Sequence, residues 1–250
     1  MSEVNPKKSF LIFIPAYNVE KQILRVLKRL PIEKLHNHII RILIIEDCSK
    51  DNTKRVIEDY LKINKNSNLI DLIKNEKNHG YGAVQKIAFN YALKNNFDYV
   101  IMLHGDDQYE PEKIPEFISN LLNDDVDAVF GSRFINPREP LKSGMPLNRY
   151  IGNRVVTFIQ NLIVGTKMTE FHSGYRSYKK NVLEKINFEK NSNDFYFDSE
   201  IIVQMSKLKF AIKEIPIATI YADEISNLKP IPYGINVLIS TIKYKFFYKD

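Results

Sequence analysis

Phe10-Leu11-Ile12-Phe13-Ile14, closed by Pro15, is an unbroken apolar run whose length and abrupt stop describe a strand buried on both faces. A half-exposed strand would alternate apolar and polar side chains, and this one does not. Working outward, residues 39–45 (IIRILII) read as a second buried strand, 69–74 as a shorter third, 99–103 (YVIML) as a fourth and 128–131 (AVFG) as a fifth. Helical stripes separate them. Residues 20–30 carry Ile23, Leu24, Leu27 and Leu30 on one face, and further helices are expected over 53–63 and 83–94. Strands alternating with helices predict an α/β fold with a mostly parallel central sheet and helices on both faces.

Ligands of such sheets bind at the carboxyl ends of the strands. The loops at those ends are Pro15-Ala16-Tyr17-Asn18, residues 46–52 (EDCSKDN) and residues 104–108 (HGDDQ), so these polar loops converge on one rim. Beyond Gly131 the pattern changes. Residues 136–146 form a Pro- and Lys-bearing loop, and 147–164 a helix carrying Tyr150, Ile151, Val155, Phe158, Ile159 and Leu162. A polar segment over 169–178 precedes a last strand at 211–217. Neither an internal repeat nor a low-complexity linker divides the chain, which reads as one domain over 1–250.

An apolar share of 44% and a charged share of 26% exclude extended disorder. The net charge of +6 favours anionic partners such as nucleotides, phosphates or an acidic membrane surface, and is too mild to argue for nucleic acid. Cys48 is the single cysteine, so no intramolecular disulfide forms and a reducing compartment fits. Residues 1–9 lack the apolar core of a signal peptide, and no run reaches the roughly 18–20 apolar residues of a spanning helix. A cytoplasmic protein is expected, with room for it to lie on the cytoplasmic face of a membrane.

His104-Gly105-Asp106-Asp107-Gln108 clusters oxygen ligands at the end of a buried strand. Magnesium and similar hard cations take such ligands and bridge diphosphate oxygens. The competing reading is a solvated acidic turn that opens a helix at Pro111.

The ordered set IPAYN (14–18), EDCSKDNT (46–53), NHGYGAVQKIAF (78–89), HGDDQYEP (104–111), GSRF (131–134) and FHSGYRSY (171–178) resembles family-2 glycosyltransferases of the GT-A fold, in the dolichol-phosphate mannose synthase-like branch. The resemblance implies an inverting, metal-dependent transfer from a nucleoside diphosphate sugar to a polyprenyl phosphate, with residues 1–108 as the nucleotide-sugar half and 109–250 as the acceptor half. By position, it implies that Pro15, Tyr17, Asn18 and Glu20 belong to the first nucleotide-contacting loop and that Asp47 holds the base or ribose. Asp47, Ser49 and Asp51 also fit a turn or helix cap. Gly80 and Gly82 serve a close backbone approach to the donor, a turn, or both.

The resemblance makes Asp106 the first metal ligand and Gln108 the second, for Mg2+ or Mn2+. His104 stands where the family has an aspartate, and imidazole suits manganese better than magnesium. Its part in the site is open, as is that of Asp107, which is grouped with the donor contacts. Arg133 and Arg149 match positions that grip an acceptor phosphate, a task suited to the planar guanidinium. Arg176 is placed at the leaving diphosphate, or else in a surface turn. A phosphate acceptor is already anionic and needs no strong base, whereas a hydroxyl acceptor requires a carboxylate. Glu170, Asp198 and Glu200 are the candidates, the last two also fitting caps of a helix at Ile201.

Near the C-terminus Ile235, Leu238, Ile239, Ile242 and Phe246 form one helical stripe, with Lys243, Lys245 and Lys249 around it and Tyr244, Phe247 and Tyr248 adding aromatic surface. Such a helix lies in the interface of an anionic bilayer or packs on its own domain. With no spanning segment before Asp250, any attachment is expected to be peripheral or partner-mediated. Competing functions are a glycosyltransferase acting on a glycan or protein hydroxyl, and a nucleotide-sugar-binding protein with weakened catalysis. A nucleotidyltransferase is disfavoured because no glycine-rich, lysine-bearing phosphate loop follows the first strand.

Overall fold

The 10–14 run lies within β1 (Ser9–Ala16), and its side chains divide by parity. Phe10, Ile12 and Ile14 enter the apolar layer on one side of the sheet, Leu11 and Phe13 the layer on the other. This is the two-residue period of a strand with both faces covered. The structure, a computed structural model, describes residues 7–219 and 230–247. After β1 come α1 (Ile23–Arg29), β2 (Ile39–Glu46), α2 (Thr53–Ile63), β3 (Ile70–Lys74), α3 (Tyr81–Lys94), β4 (Tyr99–Met102), α4 (Ile114–Leu121) and β5 (Ala128–Ser132). The second half holds α5 (Glu139–Lys142), α6 (Leu147–Val164), β6 (Arg176–Lys179), α7 (Lys180–Lys185), α8 (Phe197–Lys207), β7 (Ile212–Pro216) and α9 (Pro230–Phe246).

The sheet runs β3-β2-β1-β4-β6-β5-β7. β1 pairs in parallel with both β2 and β4, and β2 with β3, so the loops after these strands open on one edge. One apolar layer joins the sheet to α1, α2 and α4; the other joins it to α3, α7 and α8.

β6 corrects the sequence reading, which left 169–178 as a polar segment. It lies antiparallel to both β4 and β5. Two of its buried polar side chains are bonded to backbone carbonyls: Ser177 Oγ donates to the Val129 carbonyl at 2.9 Å, and Arg176 is bonded as described below. α1 begins later than expected because residues 17–22 are drawn into the rim, where the Val19 N–H donates to Thr53 Oγ1 at 2.7 Å. Residues 111–113 form a 3-10 turn before α4 rather than its first turn. α8 starts at Phe197, which places Asp198 and Glu200 inside its first turn and excludes the expected capping role. α6 has the expected bounds and ends at Gly165, whose φ of 81° is the left-handed conformation glycine adopts cheaply.

Candidate active site

The loops that leave β1 and β2 are stitched together by side chains. Asn18 takes a left-handed backbone (φ 53°), and its N–H donates to Ser49 Oγ at 3.0 Å while its Oδ1 accepts from the Lys50 N–H at 2.8 Å. The Glu20 carboxylate accepts from the Asn52 N–H at 2.8 Å and from the Asn52 side-chain amide at 3.0 Å. Asp51 accepts from the Glu20 N–H at 3.1 Å and from the Thr53 N–H, at the start of α2, at 2.9 Å. Glu20, expected on the nucleotide, is thus a brace between the two loops, since its carboxylate already holds donors from Asn52. Tyr17 stays exposed on the rim, and the Pro15 carbonyl accepts from the Gly105 N–H at 3.2 Å.

Asp47 is buried and turns toward the loop before α3. It accepts from Asn75 Nδ2 at 2.7 Å and from the N–H groups of His79 and Gly80, both at 3.0 Å. The carboxylate expected to hold a base or ribose therefore first organises residues 75–80. Gly80 has φ 92°, which a side chain would strain. A Cβ on Gly82 would lie 2.3 Å from the Ser192 carbonyl oxygen. The turn and the close approach of residues 192–193 are what demand glycine at these positions.

At the end of β4, Asp106 Oδ1 accepts from the Gln108 N–H at 3.1 Å, and Asp106 Oδ2 lies 3.8 Å from His104 Nδ1. Asp107, grouped with the donor contacts by the resemblance, is engaged by the scaffold in this structure. It has φ 62°, and its carboxylate pairs with Arg25 Nε at 2.7 Å and Arg29 Nη1 at 2.8 Å, anchoring the turn to α1. Among the described residues no three His, Cys, Asp or Glu side chains gather into a ready metal cage. The donor set still fits a divalent cation held jointly with a ligand. Magnesium sites commonly use one or two carboxylates and take their remaining oxygens from water and phosphate, and Asp106 with Gln108 would be the protein's share of such a site. His104 Nδ1 and Asp106 Oδ2, 3.8 Å apart, stand wider than the ~3 Å between adjacent ligands on an octahedral magnesium ion.

Behind this turn lies a buried polar layer that sequence patterns did not reveal. Tyr81 Oη donates to Asp198 Oδ2 at 2.9 Å and lies 3.3 Å from His104 Nε2; Gln85 Nε2 donates to Asp198 Oδ1 at 2.9 Å. Arg176, expected at the leaving diphosphate, is instead fully buried. It donates to the carbonyls of Ser173 at 2.7 Å, Asp198 at 2.8 Å and Phe171 at 2.7 Å, and its guanidinium stands 4.7 Å from the Phe130 ring centroid. Burial disfavours its charge, but Asp198 and the nearby Tyr178 and Tyr81 hold its pKa above the ordinary arginine value.

Arg133, expected at the acceptor phosphate, and Glu170, a candidate base, are joined in the structure. Glu170 accepts from the Arg133 N–H at 2.7 Å and from Arg133 Nε at 2.8 Å, with Arg133 Nη2 on the same carboxylate. Arg149 stands in the first turn of α6, half-buried. Tyr109 lies between the Asp106 turn and this pair. Burial pushes its pKa up to about 12, Arg133, Glu170 and Asp106 all act on it electrostatically, and its hydroxyl accepts from the Gly174 N–H at 3.1 Å. His172 Nδ1 lies 3.2 Å from Tyr233 Oη of α9, and its Nε2 is sealed from solvent without a hydrogen-bond partner among the described residues. Burial, reinforced by Arg133 and Arg176, lowers the His172 pKa to about 3. Tyr81, Gln85, Tyr109 and His172 all lie inside the quoted motifs, yet nothing in their spacing marks them off from their neighbours.

Residues 11–187 match the model of glycosyl transferase family 2. The chain belongs to glycosyl transferase family 2. It is 31% identical over 251 residues to a UDP-N-acetylglucosamine–dolichyl-phosphate N-acetylglucosaminyltransferase of Methanococcus voltae, covering 97% of this chain and 94% of that protein. It is 21% identical over 217 residues to the polyprenol monophosphomannose synthase of Mycolicibacterium smegmatis, covering 86% and 78%. Glucosyl-3-phosphoglycerate synthase of Mycobacterium tuberculosis, solved with Mn2+, uridine diphosphate and phosphoglyceric acid, superimposes with a TM-score of 0.69 at 12% identity, over 97% of this chain and 80% of that one. This family-2 glycosyltransferase therefore has the GT-A fold and the branch its motifs resemble.

Proposed function

We propose that this glycosyltransferase moves a sugar from a nucleoside diphosphate sugar to a polyprenyl phosphate, with inversion at the anomeric carbon and with a divalent cation. UDP-N-acetylglucosamine is the first donor to test, because the Methanococcus voltae relative is named for it. In this reading residues 1–108 hold the donor and 109–250 the acceptor within one domain. Tyr17 and the backbone of Pro15 and Asn18 face the nucleotide, Asp47 reaches the base or ribose from the edge it shares with residues 75–80, and Asp106, Gln108 and His104 hold the cation. When bound, the cation neutralises charge on the leaving diphosphate.

One observation carries the choice of acceptor: every candidate base is already committed. Glu170 is bound to Arg133, Asp198 to Tyr81 and Gln85, and Glu200 accepts from Ser240 Oγ at 2.6 Å and the Ser192 N–H at 2.7 Å. A hydroxyl acceptor would need one of them to give up its partners. A phosphate oxygen is anionic at neutral pH and attacks the anomeric carbon directly, opposite the departing diphosphate, with no proton to remove. Arg149, at the start of α6, is the cation offered to that phosphate.

The surface supports a lipid acceptor. Leu147, Ile151, Val155, Phe158 and Leu162 form an exposed stripe on α6, and Ile235, Ile239, Ile242 and Phe246 form another on α9. The two helices pack on each other, and among their residues the charged ones are Arg149, Arg154, Lys243 and Lys245, with no acid. Apolar stripes with basic flanks fit the interface of an anionic bilayer, here the cytoplasmic face. Tyr248 and Lys249, assigned to the same surface from sequence, lie outside the described residues. Among the described residues no helix is long and apolar enough to cross a membrane. The test is transfer of radiolabelled sugar to a short-chain polyprenyl phosphate with Mn2+, with Mg2+ and with chelator. Transfer that needs a metal supports the proposal; no transfer from any common nucleotide sugar sinks it.

A further inference from the structure

We propose that Tyr81 and Asp198 are positioning residues that fix the tautomer of His104, so that its Nδ1 carries no proton and faces Asp106 as a cation ligand. The inference rests on the metal-assisted reading above and concerns the position where an imidazole replaces the expected carboxylate.

It follows from counting protons. The Tyr81 hydroxyl has one hydrogen and three polar neighbours: Asp198 Oδ2 at 2.9 Å, His104 Nε2 at 3.3 Å and Met102 Sδ at 3.9 Å. A carboxylate accepts and does not donate, and it is both the nearest and the strongest acceptor, so the hydrogen goes to Asp198. Asp198 is held for this task by Gln85 Nε2 at 2.9 Å on its other oxygen and by Arg176 Nη1 at 3.8 Å. The Tyr81 oxygen is left as an acceptor, and it is satisfied when Nε2 of the neutral imidazole carries the ring proton. Nδ1 is then the bare ring nitrogen, and it lies 3.8 Å from Asp106 Oδ2. Two lone-pair groups face each other there with no hydrogen between them, which is the arrangement a cation completes. A metal-bound histidine characteristically donates its second ring N–H to an oxygen, and the Tyr81–Asp198 pair is such a partner.

The ring has little freedom to leave this orientation. It packs edge-on against Tyr81 and Tyr109, with centroids 5.7 and 5.2 Å away. A Cβ at Gly174 would collide with the ring edge at Nε2 and Cε1, so the absence of a side chain at 174 is what admits the ring. An imidazole presented this way favours manganese over magnesium.

Nitrogen-15 NMR of histidine-labelled protein, assigned with His104→Asp, reads the tautomer without metal, donor or acceptor. The expected result is a proton on Nε2 and a bare Nδ1; a proton on Nδ1 overturns the proposal. Mn2+ affinity, measured by electron paramagnetic resonance with uridine diphosphate present, is expected to fall about tenfold or more in Tyr81→Phe and in Asp198→Asn. Tyr81→Phe introduced into His104→Asp is expected to change it by less than twofold. Equal losses in both backgrounds would show that Tyr81 acts on the site by some other route. The NMR result stands whatever the acceptor proves to be, so failure of the acceptor assignment and failure of this inference are separable.

Discussion

Replacing Glu170 by glutamine separates a supporting carboxylate from a catalytic one. The Arg133 side chain is 4% exposed and that of Glu170 0%. The substitution keeps the shape and some of the hydrogen bonding but leaves a buried guanidinium facing a neutral amide. Breaking such a pair by altering one partner costs about 3–5 kcal/mol. The Arg133 N–H, at 2.7 Å in the native protein, can still bond the amide oxygen, which argues for the lower end of that range. In a chain of this size each kcal/mol lowers the midpoint by roughly 2–4 °C, so a loss near 3 kcal/mol predicts a fall of about 6–12 °C. The pair Arg133→Met with Glu170→Leu, which removes both charges, is expected to recover most of it. Thermal unfolding followed by circular dichroism measures both. An unchanged midpoint in Glu170→Gln, together with lost sugar transfer and retained donor binding, would refute the argument and make Glu170 the general base.

Gly82→Ala places a methyl group 2.3 Å from a backbone oxygen that cannot swing away. We expect more than about 2 kcal/mol of destabilisation in denaturant titration, at or above the usual overpacking cost, and an unchanged midpoint would contradict the close approach. His172 has a depressed pKa, so its contribution to stability is complete above the ordinary histidine value and is lost as pH falls toward about 3. The stability advantage of the native protein over His172→Gln should shrink between pH 6.5 and pH 4 by at most about 1.4 kcal/mol per pH unit; a constant advantage contradicts the assignment. Phe158→Glu combined with Phe246→Glu should weaken sedimentation with anionic vesicles by roughly 30-fold or more, since each ring stands to bury about 1–2 kcal/mol of apolar surface. Equal binding by the variant would remove α6 and α9 from the membrane interface.

Much of the architecture was legible because burial on both faces writes itself as continuous apolar runs, as in Phe10 to Ile14. Helices with one apolar stripe were equally plain, and α2 and α6 have the bounds their periodicity predicts. β6 was not legible. Four residues, Arg-Ser-Tyr-Lys, carry no strand pattern, and their place inside the sheet depends on tertiary contacts such as those of Arg176 and Ser177 with distant carbonyls. The site divides in the same way. The turn at Asp106 announces itself by composition and position at a strand end. The destinations of Glu20, Asp107, Arg133, Glu170 and Arg176 do not, because a charged side chain in a loop motif serves a ligand or its own scaffold equally well. Only the partner decides, and the partner is distant in sequence: Asp107 meets Arg25, Glu170 meets Arg133, and Arg176 meets Asp198.

A phosphate acceptor needs no base, and the choice between phosphate and hydroxyl is open to direct experiment. Its most direct test offers the enzyme, with radiolabelled UDP-N-acetylglucosamine and Mn2+, either a polyprenyl phosphate or the matching polyprenol. Labelled lipid from the phosphate and none from the alcohol is the predicted result. Transfer to the alcohol or to a glycan hydroxyl, with none to the phosphate, would contradict it.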